Sequence, residues 1–169
     1  MSKTRVVSTL SAALFAAFLS SGAQAHMSLE TANAESGSFY KAILKLPHGC
    51  DGAATVRVEA TLPAGFISAK PMMKPGWKIE TVKGDYDREY AFIHGMTKKD
   101  GVVKVIWSGG EVPDDFYDEF VVTGYLAKEM KPGPTYFPVK QTCTEGEIDW
   151  SEVPKDGEDA HSLERPRPS

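Results

Sequence analysis

Apolar and polar residues alternate along most of this chain, and a period of two fits extended strands rather than helices. In "ATVRVEATLP", Val56, Val58, Ala60 and Leu62 fall on one face, with Arg57, Glu59 and Thr61 on the other. "SFYKAILKLP" sets Tyr40, Ala42 and Leu44 against Lys41 and Lys45. "GWKIETVKG", "REYAFIHG", "VVKVIW", "DEFVVTGYL" and "TYFPVKQTC" read as further strands, and "EIDWSEV" as a short one. Clusters of Gly, Pro and Asp separate them, among them "PHGCDGAA", "LPAGF", "KPMMKPG", "KGDYD", "KKDG" and "SGGEVPDD". Short strands at this spacing predict an all-β fold, an antiparallel β-sandwich. "GGEVPDDFYDEF" has room for one helical turn, and nothing else after residue 25 has helical periodicity.

The first 25 residues stand apart from that pattern. Lys3 and Arg5 make a positive start, residues 6–19 are an apolar run short for a bilayer, and "SSGAQA" ends in small-x-small. Together these predict a secretory signal peptide cut after Ala25, the alternative being an uncleaved anchor. A single domain over residues 26–154 follows, then a polar tail over 155–169, "KDGEDAHSLERPRPS", expected to be loose. Cleavage would remove two of 19 basic residues and none of 23 acidic ones, leaving a net charge of −6. An acidic chain without a basic run is a poor nucleic-acid binder. Cys50 and Cys143 are the two cysteines. In an oxidising compartment an even count reads as one disulfide, and two thiolate metal ligands are the rival reading.

Cleavage after Ala25 would also make His26 the first residue of "HMSLE". A free α-amine and the imidazole Nδ1 of one residue can close a six-membered ring on a metal ion. Two nitrogens in a tetragonal plane suit Cu(II), which leads the divalent affinity order. The amine, with an ordinary pKa of about 8, must first lose its proton, so binding weakens in acid. The competing expectation is a frayed terminus that binds nothing.

"PHGCDG", "KPMMKPGWKIETVKG", "VIWSGGEVPDDFYDEF" and "YFPVKQTCTEGEIDW", in this order behind His26, resemble the YcnI-like family of exported copper-binding domains. The likeness runs from His26 to about Pro154. It implies a cupredoxin-like β-sandwich and a single-histidine brace, in which the first mature residue chelates copper with a tryptophan close by. Carried onto this chain, the brace falls on His26 and the tryptophan on Trp150, while Trp77 and Trp107 match phrases where a core role is implied. In family members with "HGC" and "QTC" the cysteines pair, which here implies Cys50–Cys143. Met72-Met73 departs from the "KPxPKPGW" the family suggests. In an exported protein a pair of soft thioethers suits Cu(I), and a packed or half-exposed loop pair without metal is the plainer reading.

Other residues carry weaker signals. His48 is a candidate third nitrogen or a backbone-bonded turn residue. His94 in "FIHGM" has a hairpin-end context, and His161 lies in the tail. Glu145, Glu147 and Asp149 lie near Trp150 in sequence, and Asp118 and Glu119 are further carboxylates. Glu30 lies too far along an extended strand to share a metal with His26 unless the chain bends. No nucleophile elbow, HExxH or phosphate loop occurs. The resulting expectation is an exported protein, periplasmic or else extracellular, that holds one copper ion, Cu(II), for trafficking or homeostasis and without turnover. Its partners would be the ion and another exported copper-handling protein, with no nucleic acid and no membrane span after cleavage. The alternatives are a copper oxidase or monooxygenase, needing a second histidine, and a metal-free interaction domain.

Overall fold

The computed structural model describes residues 26–159 and 162–169; the expected signal peptide and His161 lie outside them. The described chain is all-β. Its strands are β1 (Ser28–Leu29), β2 (Ser38–Leu46), β3 (Thr55–Thr61), β4 (Phe66–Pro71), β5 (Lys78–Ala91), β6 (Thr97–Val112), β7 (Asp118–Leu126), β8 (Val139–Cys143) and β9 (Glu147–Trp150). They form two antiparallel sheets, one ordered β1-β2-β7-β4 and the other β5-β6-β3-β8-β9. The sandwich expected from alternation is therefore present, and among the described residues no helix is long and apolar enough to cross a membrane.

Where one strand face is buried, the alternation is faithful. Tyr40, Ala42 and Leu44 of β2 enter the main core, and Lys41 stays outside. Val58 and Ala60 of β3 do the same. Trp107 and Phe120 anchor that core with ring centroids 5.3 Å apart, and Trp77 packs edge-on against Phe120 at 5.1 Å. Lys74 of "KPMMKPGW" locks the loop carrying Trp77 onto β7 by donating to Asp118 Oδ1 at 2.7 Å and the Glu119 carbonyl at 3.0 Å.

Other details depart from the pattern. A β-bulge lies between Thr55 and Arg57, where Thr55 opposes Cys143 and Arg57 opposes Thr142. The extra residue, Val56, turns partly outward and Thr55 is buried, reversing the expected faces at the start of β3. The two expected strands "GWKIETVKG" and "REYAFIHG" form one irregular strand, β5. Its far end covers the outer face of the first sheet, where Tyr86 and Tyr90 join Ile67 and Tyr125 in a second small core. Strands β4 and β7 are thus buried on both faces, which explains the unbroken apolar start of "FVVTGYL" and why β4 had no alternating signature. "GGEVPDDFYDEF" contributes the end of β6 and a tight turn in which the Phe116 N–H donates to the Pro113 carbonyl at 3.0 Å. The helical turn falls instead at Ile93–Gly95, between β5 and β6.

The polar tail, expected from its composition to be loose, returns to the sandwich at its end. The Arg167 N–H donates to the Glu152 carbonyl at 2.9 Å, and the Phe137 N–H to the Pro168 carbonyl at 2.8 Å. Pro166 and Pro168 are buried there. Two prolines, which lose little conformational freedom on docking, make this inexpensive for a short polar segment.

Candidate functional site

The two sheets each end in a short strand, β1 and β9, and these edges bring His26 and Trp150 together. His26 lies two residues before the start of β1. The next few residues hold it in place: Met27 is 1% exposed, Ser28 pairs with Lys45, and the Glu30 N–H donates to the Ile43 carbonyl at 3.0 Å. Burying a methionine side chain stabilises by about 2 kcal/mol, enough to oppose fraying of the adjoining residue. The His26 ring is half-buried and meets the Trp150 indole edge-on, with centroids 6.3 Å apart and planes at 63°. The His48 ring also borders this indole, at 6.3 Å and 64°.

Trp150 itself is 3% exposed and belongs to the main core. Its Nε1–H donates to Gln141 Oε1 at 2.9 Å. Gln141, fully buried on β8, donates from Nε2 to the His48 carbonyl at 2.9 Å and to Thr55 Oγ1 at 2.8 Å. The β3 bulge is what turns the Thr55 hydroxyl inward to meet this amide. Thr55 Oγ1 also lies 3.7 Å from Cys143 Sγ.

Cys143 forms a disulfide with Cys50, as expected, across a sequence separation of 93. The bridge fastens the turn carrying His48 to β8. That turn is closed by reciprocal backbone bonds of 2.9 Å between Cys50 and Ala53. Gly49 permits the closure, because a Cβ there would sit 2.0 Å from the Ala53 carbonyl oxygen. Its N–H donates to Asp114 Oδ1 at 2.9 Å. His48 Nδ1 lies 2.6 Å from the Gly49 carbonyl. A carbonyl only accepts, so Nδ1 carries the proton and, in the neutral ring, the lone pair is on Nε2.

A polar cleft of about 1020 Å³ opens beside His48 and Trp150, with Asp114, Glu145 and Glu164 among its walls. The other carboxylates singled out in the sequence have partners of their own. Glu30 pairs with Lys45 at 2.9 Å, Asp118 with Lys74 at 2.7 Å and Glu147 with Lys140 at 2.9 Å. The Glu147 carboxylate holds the Lys140 ammonium above its usual range by hydrogen bonding and charge. Glu119 accepts from the Tyr117 hydroxyl at 2.5 Å. Asp149 neighbours Trp150 on β9, so its side chain takes the opposite face.

Among the described residues, no three His, Cys, Asp or Glu side chains converge as a ready-made cation cage. His94 is exposed in the β5–β6 turn with a φ of 56°, away from β1 and β9. Met72 and Met73 follow β4, three strands from β1 or about 14 Å, and Met73 is 83% exposed.

Two residues of this site, Gln141 and Thr55, are not among the candidates drawn from sequence. Gln141 had a signal: it stands between Val139 and Cys143 at an inward position of β8, and a polar residue there needs partners. Thr55 had none, since the bulge that buries it does not show in the alternation.

No curated protein matches this sequence. The fold is similar to that of a crystal structure described as an uncharacterized protein from Nocardia farcinica with an immunoglobulin-like fold. The two are 24% identical over 85% of this chain and 94% of that one, with a TM-score of 0.60. The family model described as "Domain of unknown function (DUF1775)" matches residues 26–169, from His26 through the docked tail. The chain therefore belongs to the DUF1775, or YcnI-like, family.

Proposed function

We propose that the mature protein binds one copper ion, Cu(II), at an N-terminal His26 and serves copper trafficking or homeostasis outside the cytoplasm. The observation that carries this reading is the seating of His26 against Trp150 by the buried Met27. A terminal residue normally frays; this one is anchored on its C-terminal side at the sheet edge. The donor set fits copper: an α-amine released by cleavage, an imidazole nitrogen, and an indole close at hand. The disulfide suits the oxidising compartment that such cleavage implies.

Bound copper would supply a redox-active, nitrogen-ligated cargo. The residues around it have separable tasks. Met27 and the β1–β2 pairing hold the backbone after His26. Trp150 shields one side of the imidazole from water. The amine gives up its proton on binding, so affinity rises with pH up to about 8.

The test is electron paramagnetic resonance of Cu(II)-loaded protein beginning at His26, beside a His26→Ala variant and a protein with one residue added ahead of His26. Nitrogen hyperfine structure and one-to-one binding are expected only in the first. Equal affinity in the extended protein overturns the reading. The oxidase or monooxygenase alternative draws on His48, which borders the same indole. It requires copper-dependent peroxide formation with reductant that His48→Ala abolishes.

A further inference from the structure

We propose that Gln141 is the positioning residue of the copper site: it sets which part of the Trp150 indole faces the cargo. This inference rests on the copper reading above. An indole has one polar atom, Nε1–H, which can only donate. A carbonyl oxygen can only accept. Between these two fixed groups the Gln141 amide has one satisfactory orientation, Oε1 toward Trp150 Nε1 at 2.9 Å and Nε2 toward the His48 carbonyl at 2.9 Å. A flipped amide would set donor against donor and acceptor against acceptor, and Thr55 Oγ1 at 2.8 Å adds a further acceptor for Nε2.

The consequence reaches the cargo. With Nε1–H committed to Gln141, the indole meets the His26 ring through its other atoms, in a T-shaped contact with the ring planes at 63°. The positive N–H end, which would repel a cation, is turned away. The π system, which attracts one, remains available, and a soft π donor favours Cu(I) over Cu(II). Gln141 also holds the backbone of His48, so one buried amide fixes both the indole and one of the two imidazoles that border it.

The experiment uses mature protein carrying Gln141→Met, which matches the side chain's length without its polar atoms, and Gln141→Glu, which keeps an acceptor for the indole. In metal-free protein the Trp150 indole N–H resonance should lose its hydrogen-exchange protection in Gln141→Met and keep it in Gln141→Glu. In loaded protein, Cu(I) affinity should fall roughly tenfold in Gln141→Met, and Cu(II) affinity should fall less, so the midpoint potential drops. Gln141→Glu should retain most of the Cu(I) affinity. In a Trp150→Phe background the Gln141→Met substitution should cause no further loss, because its effect passes through the indole.

Folded Gln141→Met with unchanged Cu(I) affinity, or additive losses in the double variant, would overturn the role of Gln141 alone. A wild-type protein that takes up no copper at His26 would overturn both proposals together. If Gln141→Met does not fold, Gln141→Glu decides the matter. Equal loss of Cu(I) and Cu(II) affinity in that variant, with Trp150 protection intact, would show that Gln141 acts as core structure only.

Discussion

Replacing both Cys50 and Cys143 by alanine should remove about 4–5 kcal/mol of stability. The figure follows from the sequence separation of 93, through the entropy that the crosslink takes from the unfolded chain. Against the 5–15 kcal/mol typical of a domain, this is a large fraction. The bridge joins the His48 turn to β8, and both half-cystines are buried, so lost sulfur packing adds to the loss rather than offsetting it. Urea unfolding followed by tryptophan fluorescence is the assay. With m near 2 kcal/mol/M, the midpoint should fall by roughly 2 M. The slope should rise at the same time, because an uncrosslinked unfolded chain exposes more surface. The Gln141 bond to Trp150 links β8 to β9 without passing through the bridge, so the folded fraction should keep its Trp150 N–H protection. A loss below about 1 kcal/mol with an unchanged slope would refute the chain-entropy account for this bridge.

Gly49→Ala should destabilise the protein by about 2–4 kcal/mol, because the new Cβ lands 2.0 Å from the Ala53 carbonyl and must open the turn that carries His48. A thermal midpoint within a degree of wild type would show that the turn yields freely. Tyr90, buried and hydrogen-bonded to Asp87 Oδ1 at 2.6 Å, has its pKa pushed up to about 12, first by burial and then by that carboxylate. Its folded value lies above the ordinary value of about 10, so this contribution is complete below pH 10 and disappears as pH rises toward 12. Ultraviolet pH titration should show a late phenolate step shared with Tyr117, which burial and the Glu119 carboxylate also push up to about 12, and Tyr90→Phe should shrink that step without abolishing it; ionisation of every tyrosine near pH 10 in folded protein would contradict the packing of the second core.

The parts of this fold legible in sequence are those where burial is one-sided. β2 and most of β3 follow from which residues alternate, since a half-buried strand imposes a period of two, whereas β7, buried on both faces, reads only as an apolar run between turn clusters. β4 escaped because Phe66 and Ile67 are buried in different cores, and its ends read as turns. The bulge that buries Thr55 and the return of Pro166 and Pro168 depend on contacts with distant strands, which composition does not encode.

The candidate site divides along the same line. The chemistry of His26 could be read locally, because an amine and an imidazole on one residue need no fold to assemble them. Its nearness to Trp150 could not, because alternation fixes the faces of a strand but not which edges of the two sheets meet. That pairing was reachable only through the family likeness, whereas the amide that orients the indole needed the folded arrangement. Gln141 illustrates why. A glutamine at an inward strand position announces that partners exist, yet their identity is set by a bulge in β3, a turn before it and an edge strand after it. If the Gln141–Trp150 pair does shape the copper preference of this protein, its determinants are spread over three elements, and no single stretch of sequence would reveal them.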